Sequence, residues 1–320
     1  MLRVDDTVAD RFDTDRFEAS RTRLASLAYR LLGSAADAED AVQDAYLHWQ
    51  AADRRLINVP EAWLTKVVTN LCLDRLRSAQ ARRERAVGAW LPEPLLAGDP
   101  MLGPADTFEQ RESVSLAVLT VMERLSPHER AVYLLREAFA YSHAEIAGIL
   151  DITESASQQH LHRARSRITA VRRRGAEADP ASARRIVEEF LTAAASGRTE
   201  RLVALLTDDA TAISDGAGLT ATLLRYTTAP RIAAVARAGF TSTPAKRRLA
   251  GGTSAVHYAV VNGAPAILFV VGDQVVGAVT FDIADGRITT VRGIAAPARL
   301  TRLAAAWQRH EPDTPLIAQW

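Results

Sequence analysis

"YSHAEIAGILDITESASQQHLHRARSRI", Tyr141 to Ile168, decides how the chain is read. Ser142 is a helix-capping residue type, and Ile146, Ala147 and Leu150 follow at the spacing of one helical face, so a short helix opens there. "DIT" makes a tight turn, and Glu154 opens a longer helix with Leu161, Ala164 and Ile168 on one side. Its other side carries Ser155, Gln158, Gln159, His162, Arg163 and Arg165. A short helix, a turn and a second helix with a polar and basic outer face make the helix-turn-helix pattern, whose second helix enters the DNA major groove. An ordinary helical hairpin would share the apolar spacing, but not the uninterrupted polar face.

The net charge of +1 hides a segregated pattern. Residues 155–176 hold six arginines and no acid, and residues 75–85 hold five arginines against one glutamate, whereas 1–18 and 37–44 are acidic. Clustered arginine on a helix suits phosphate as well as solvent. The composition, 48% hydrophobic and 24% charged over 320 residues, is that of a globular protein with room for two or three domains. The amino terminus has no apolar signal region, and runs such as Ala266 to Val271 are too short to span a bilayer, so a cytoplasmic protein without membrane partners is expected. The single cysteine, Cys72, lies in an apolar helical run; it cannot form an internal disulfide and reads as a buried structural thiol. No metal or cofactor is expected.

Outward from the helix-turn-helix, residues 1–15 read as an acidic leader and 16–86 as a helical block. Gly33 stops its first helix, and Ser34 caps "AADAEDAVQDAYLHWQA", whose Asp37, Glu39 and Asp40 suit the positive end of a helix. A third helix restarts after Asn58, with Pro60 tolerated at its opening. The connector 87–107 contains "WLPEPL": two prolines in three residues forbid a helix interior, yet Trp90, Leu91, Leu95 and Leu96 are too apolar for a solvated linker. Residues 108–174 hold two further helices, Phe108–Arg124 and Pro127–Phe139, and then the helix-turn-helix. After a short linker, 175–180, residues 181–320 change character: helices over Ala183–Ser196, Thr199–Leu206 and Thr228–Ala238, then strands "KRRLAGG", "SAVHYAVVNG", "APAILFVVGD", "QVVGAVTFDIADG" and "RITTVRGIAA". Asn-Gly, Gly-Asp and Asp-Gly turns between them predict an antiparallel meander packed on helices, an α+β domain. In the final stretch, "HEPDTPLIAQW", Trp320 reads equally as a packing anchor or as a disordered residue, and so does the earlier Trp307.

With these pieces on the page, residues 17–172 resemble bacterial sigma factors of the extracytoplasmic-function (ECF) group. "SAADAEDAVQDAYLHW" is similar to the helix of sigma domain 2 that docks on the RNA polymerase β′ clamp, "AWLTKVVTNLCLDRLR" to the helix that opens and reads the -10 element, and Leu125–Ile168 to domain 4, which binds the -35 element. The resemblance implies core RNA polymerase (β′ clamp and β flap) and promoter DNA as partners. Core binding would fall to Asp37, Glu39, Asp40, Val42, Gln43, Asp44 and Leu47, with carboxylates steering and Val42 or Leu47 anchoring. Asn70 and Asp74 would contact -10 bases, with Lys66, Arg75, Arg77, Arg82 and Arg83 alongside, the arginines on phosphates. Ser155, Ser157, Gln158, Gln159, His162, Arg163 and Arg165 would face the -35 element. Where the family carries a hydrophobic residue, a lysine and an arginine, this chain has Ser157, Gln158 and His160, although amides still read adenine edges.

A subgroup of these factors resembles the chain in two further features, a "WLPEP" linker and a carboxy-terminal SnoaL-like (NTF2-like) domain of cone-shaped α+β fold. In such relatives the extension replaces a separate anti-sigma factor and contacts domains 2 and 4 and the linker. The matching regulatory positions are Trp90, Leu91, Pro92, Glu93, Pro94, Asp215, Gly216, Pro297 and Arg299; "SDGAG" stands for a richer Asp-Gly loop, and of a terminal Asn-Pro-Asp-Lys segment only Pro297 and a basic residue, Arg299, persist. Two other readings remain. SnoaL-like folds host isomerases, and Asp215, Tyr226, His257, Tyr258 and Asp282 are the available acid-base groups, or the domain senses a small ligand. A dimeric helix-turn-helix regulator would leave residues 34–85 unexplained. The expectation is therefore a non-enzymatic sigma factor.

Overall fold

The computed structural model describes residues 4–83, 91–103, 107–172, 179–220 and 222–320. Its contacts divide into two compact units. The first holds α1 (Val4–Leu32), α2 (Ala35–Ala51), α3 (Pro60–Arg83), the segment Asp99–Val114 with α4 (Phe108–Ser113), and Val121–Arg167. The second holds Leu91–Gly98, Ser115–Thr120 and Ile168–Trp320. α1 runs through the stretch expected to be an acidic leader, and the predicted helix Phe108–Arg124 is two helices, α4 and α5 (Leu116–Met122), broken at Val114 and Ser115. The chain continues in α6 (Pro127–Glu137), α7 (His143–Leu150) and α8 (Glu154–Arg172).

In the helical unit Leu24, Leu27, Leu31, Leu64, Val68, Leu73, Leu134 and Ile146 are buried, the apolar faces of helices from both ends of the unit. Two buried arginines join them. Arg30 donates to Ser113 Oγ (2.9 Å) and to the Leu102 carbonyl (2.8 Å), and Arg130 donates to the carbonyls of Leu31 (2.6 Å) and Met122 (3.0 Å) while pairing with Glu123 (2.9 Å). Burial pulls both guanidinium groups down, Arg30 to about 10 and Arg130 to about 9, which is why each is surrounded by carbonyl, hydroxyl or carboxylate oxygens. The connector passes close over α1 at Gly103, where φ is +67° and a Cβ would lie 2.4 Å from Ser26 Oγ, so only glycine fits.

In the second unit α9 (Pro180–Ala195) and α10 (Thr199–Leu205) lead into β1 (Leu206–Ser214) and β2 (Leu224–Thr227), then α11 (Ala229–Phe240) and α12 (Pro244–Ala250). Four strands follow, β3 (Ala255–Val261), β4 (Ala264–Val271), β5 (Gln274–Ala284) and β6 (Arg287–Ile294), and then α13 (Pro297–Trp307). The sheet order is β2-β1-β6-β5-β4-β3. β3 to β6 form the expected meander, but β1 joins it in parallel with β6, a long-range pairing outside it. "KRRLAGG" is not a strand: Thr243 caps, Pro244 opens and Gly251, at φ +83°, closes a helical turn there. Irregular register at Phe269/Val270 and Asp282/Ile283 marks the bulges that bend such a sheet. One face buries Val187, Phe190, Ile232, Phe240, Ile267 and Phe281; the other buries Leu268, Val270, Ala278, Leu300, Leu303 and Trp307.

Candidate nucleic-acid interface and linker site

The helix-turn-helix is built by its caps. Ser142 Oγ accepts from the Glu145 N–H (3.2 Å), and the Glu145 carboxylate accepts from the Ser142 hydroxyl (2.7 Å) and N–H (2.7 Å), the hydroxyl first and the N–H second holding that carboxyl below its ordinary range. Asp151, left-handed at φ 53°, ends α7, and Thr153 Oγ1 accepts from the Ala156 N–H (3.1 Å) as α8 begins. Ile146, Ile149, Leu150, Leu161, Ala164 and Ile168 are buried. Ser155, Gln158, Gln159, His162, Arg163 and Arg165 are exposed along α8. Ser157 is not among them. It is fully buried, and its hydroxyl bonds His143 Nδ1 at 2.8 Å, so it fixes α7 against α8 and presents nothing to DNA.

The arginines of that face are anchored. Arg163 (3.0 Å) and Arg167 (2.7 Å) share Glu129, and Arg165 pairs with Glu137 (2.6 Å). Burial pulls the Glu129 carboxyl upward, but the Ser126 N–H and these two arginines outweigh it and leave it below its usual range. His160 bonds Arg163 at 3.0 Å and stacks on His128 at 5.7 Å; burial first and neighbouring arginine second lower both imidazoles. The face is thus a pre-oriented fork of guanidinium groups whose carboxylate partners lie behind it.

On α3, Asp74 and Arg77 are exposed and paired at 3.0 Å, Asn70 is half-buried, and Arg75 bonds Asp44 at 2.6 Å. Lys66 Nζ donates to the Gly148 carbonyl (3.0 Å) and to Asp151 Oδ1 (2.7 Å), so the lysine expected at the -10 element binds the turn of the helix-turn-helix. The side chains of Arg82 and Arg83, and all of Trp90, lie outside the described residues. On α2, Asp37, Glu39, Asp40 and Gln43 are exposed with Leu47, 55% accessible, beside them. Val42 is 3% accessible and belongs to the core, so of the two apolar anchors expected on this helix only Leu47 is exposed. Trp63 packs on Trp49 (5.7 Å). Cys72 is buried, and burial pushes its thiol up to about 12.

In the second unit the "WLPEPL" segment is a partial strand. Leu91, Pro92, Pro94, Leu95 and Leu96 are buried. Asn262 ties the segment down: its N–H donates to the Leu95 carbonyl (2.9 Å) and its Oδ1 accepts from the Leu95 N–H (2.8 Å), while Ala97 donates to the Val260 carbonyl (2.9 Å). Asn262 and Gly263, at φ 50° and 76°, also form the two-residue hairpin turn between β3 and β4, so one residue makes the turn and holds the linker. Arg299 donates to the Leu91 carbonyl, and its electrostatic partners include Asp215 and Glu93; burial lowers its guanidinium against both. Asp215, itself buried, accepts from the N–H groups of Ala217 (3.0 Å), Ala295 (3.0 Å) and Ala296 (3.0 Å), closing its loop and capping α13 before Pro297. Gly216 sits at φ +59°, with Thr220 Oγ1 2.6 Å from where a Cβ would be. Asp215, Gly216, Pro297, Arg299 and the described part of the linker motif form one contiguous cluster; Asn262, which sequence reasoning missed, belongs with them, and its Asn-Gly turn was the available signal.

The groups weighed for catalysis have structural partners. Asp282 takes a bidentate bond from Arg292 (2.7 Å), His257 bonds the Asp313 carbonyl (3.2 Å) against Trp307, Tyr258 lies under Arg184 (5.0 Å) and Tyr226 beside Arg231 (5.8 Å). His257 and Tyr258 face opposite sides of the sheet, as alternation requires.

Two family models match the helical regions: Sigma-70 region 2 over residues 16–82 and Sigma-70 region 4 over 115–168. Together with the helix-turn-helix, they define a sigma-type initiation factor, which binds core RNA polymerase and promoter DNA. Among similar proteins, the ECF RNA polymerase sigma factor SigJ of Mycobacterium tuberculosis (strain ATCC 25618 / H37Rv) is 41% identical over 214 residues, 67% of this chain and 68% of SigJ. The probable ECF RNA polymerase sigma factor SigI of the same strain is 30% identical over 300 residues, 90% of this chain and 95% of SigI. The crystal structure of M. tuberculosis SigJ covers 90% of this chain and 98% of its own, with a TM-score of 0.66 at 31% identity. The chain belongs to the ECF RNA polymerase sigma factors, a non-enzymatic family, and carries the SnoaL-like domain at its C-terminal end. It is an alternative sigma factor that directs transcription initiation. No helix among the described residues is long and apolar enough to cross a membrane.

Proposed function

We propose that the SnoaL-like domain sets the activity of this sigma factor by holding or releasing the linker that joins its two DNA-binding regions. One observation carries the reading: Leu91–Ala97 is paired with the β3-β4 hairpin through Asn262 and Val260 and is clamped by Arg299. Regions 2 and 4 gain avidity on a promoter only when the chain between them lets both reach their elements at once. A linker zipped to the sheet is shortened by every residue so bound, and release restores that reach. The apolar side chains of the segment then become available to the polymerase, the cytoplasmic partner that competes for them.

Within this reading Asp37, Glu39, Asp40, Gln43, Asp44 and Leu47 meet the β′ clamp, with region 4 toward the β flap. Asn70 and Asp74 meet -10 bases, with Lys66, Arg75 and Arg77 beside them. Ser155, Gln158, Gln159, His162, Arg163 and Arg165 meet the -35 element, the arginines exchanging Glu129 and Glu137 for phosphate. Arg299→Ala removes a charge-assisted bond of about 2 kcal/mol, and Asn262→Gly keeps the turn while losing the side-chain bond to Leu95. Both variants are expected to speed protease cleavage of the linker and to change promoter output in transcription with purified core polymerase. Unchanged cleavage and unchanged output for both would refute the reading.

A further inference from the structure

Beyond the linker, which pairs at the Val261 end of β3, the segment Leu316–Trp320 lies along the other end of the same outer edge, at Val256. The Val256 N–H donates to the Ile317 carbonyl (2.8 Å), the Leu316 N–H to the Val256 carbonyl (2.7 Å), and Ser254 and Trp320 exchange two backbone bonds (3.2 and 2.7 Å). Trp320 is the anchor. Its indole Nε1–H donates to the Phe240 carbonyl at the end of α11 (2.7 Å), its ring meets Phe269 edge-on at 4.9 Å, and the Lys246 ammonium stands 5.7 Å over the ring. Lys246 is fixed there by donating to the carbonyls of Ala238, Gly239 and Thr241. The ring therefore occupies a socket with an acceptor at one edge, an aromatic wall and a cation over its face.

The segment is attached more lightly than the strands it borders. It makes a single bridge, Val256↔Ile317, where β4 pairs along its length on both sides. Leu316, Ile317 and Trp320 are half-buried, Ala318 and Gln319 exposed, and the approach through Pro312 and Pro315 forms no helix or strand. In the approach to it, the salt link from Arg184 to Asp313 at 3.0 Å is solvent-exposed and worth little. A short, half-buried segment without continuous strand pairing is the kind of region that opens locally without global unfolding. At its rim Ser254 carries a buried hydroxyl with no hydrogen-bond partner, a polar group left unsatisfied while the strap is down.

We infer that Leu316–Trp320 is a removable strap and that its indole holds the place of a ligand: the socket of Phe240, Lys246 and Phe269 is a binding site for a planar aromatic molecule bearing an N–H donor. Such a molecule competes with Trp320, accepting the same wall and donating to the same Phe240 carbonyl. The inference does not depend on the linker reading, because binding is measured without transcription.

The test uses the full chain and indole itself. Trp320→Ala empties the socket, and indole is expected to raise its melting temperature and to bind it at least tenfold more tightly than it binds the native chain; N-methylindole, which has no donor, is expected to bind tenfold more weakly than indole. In native-state hydrogen exchange, the amides of Val256, Leu316 and Trp320 are expected to exchange at least a hundredfold faster than those of Leu268 and Phe281. Exchange as slow as the sheet centre overturns the removable strap. A folded Trp320→Ala chain whose melting temperature is indifferent to indole, or which binds indole and N-methylindole equally, overturns the site. Should that variant fail to fold, Trp320→Phe, which keeps a ring but loses the donor, gives the same comparison, and no gain in indole binding over the native chain overturns the site.

Discussion

At the scale of the residue, two side chains separate an exposed face from the core beneath it. Ser157 and Gln158 are neighbours on α8, and the sequence offers no reason to treat them differently because both are small polar groups within a polar run. The distinction comes from α7: His143 reaches Ser157 but not Gln158. Ser157→Ala removes the hydroxyl partner of the half-buried His143 imidazole from a buried position and is expected to cost about 1 kcal/mol in urea unfolding, whereas Gln158→Ala is expected to leave stability within 0.5 kcal/mol and to change affinity for promoter DNA. Equal stability losses in the two would contradict the assignment. Val42 misleads in the same way, since a valine between carboxylates on α2 fits a docking anchor as well as a core position until α1 and α3 cover it. Cys72 follows the expectation of a buried thiol. With its thiol at about 12, the thiolate fraction at pH 8 is on the order of one in ten thousand. A thiol-reactive dye is therefore expected to label the native chain only at the rate of unfolding, and rapid labelling without denaturant would show the thiol to be accessible.

At the scale of the element, the helices were legible where a cap and an apolar period coincided, as at Ser34 and Ser142, whereas α9 opens three residues before the expected Ala183, at Pro180 behind an Asp179 cap. The strands β3 to β6 were legible from their turns. β1 and β2 were not: "LTDDATAIS" buries only small residues in its middle, Ala210 and Ala212, and is held by a partner far along the chain, while β2 is an exposed edge. α13 was missed because "IAAPARL" follows a strand and its cap comes from Asp215, a residue too distant to suggest a helix start. That long-range cap makes Asp215 the test of the cluster. Asp215→Ala leaves the half-buried amides of Ala217, Ala295 and Ala296 without their carboxylate acceptor, and the expected loss is about 1–3 kcal/mol. Because α13 carries Arg299, the same variant is expected to loosen the linker, seen as faster proteolysis between Leu91 and Ala97. Asp215→Asn, which retains one acceptor oxygen, is expected to fall between the native chain and Asp215→Ala. Stability lost with the linker still protected would mean that the cap and the clamp act independently.

At the scale of the molecule, the order of its regions could be read along the sequence, but their packing could not. Regions 2 and 4 are matched by separate models, yet the contacts place much of both in one compact helical unit, with Arg30, Arg130 and Lys66 as polar ties between segments far apart in sequence. Lys66 is the informative tie. Its ammonium meets Asp151, which ends α7 in a left-handed conformation, so a lysine proposed for the -10 element is paired with the turn of the helix-turn-helix. If regions 2 and 4 meet two separate promoter elements at once, as proposed above, a contact of 2.7 Å between them has to break. Under that proposal, opening is expected to precede or accompany promoter binding. The pair is partly exposed and contributes at most about 1 kcal/mol, too little to lock the unit but enough to shift a balanced equilibrium severalfold. Asp151→Asn keeps the left-handed geometry, which asparagine tolerates, and removes the charge. It is expected to raise the fraction of open molecules severalfold at low salt, and the difference from the native chain is expected to vanish as salt screens the pair. Fluorescence transfer between labels on α3 and α7 reads this directly, and core polymerase should drive both proteins to the same long distance. A native chain that keeps its short distance when bound to polymerase and promoter would show that the packed unit is itself the active form.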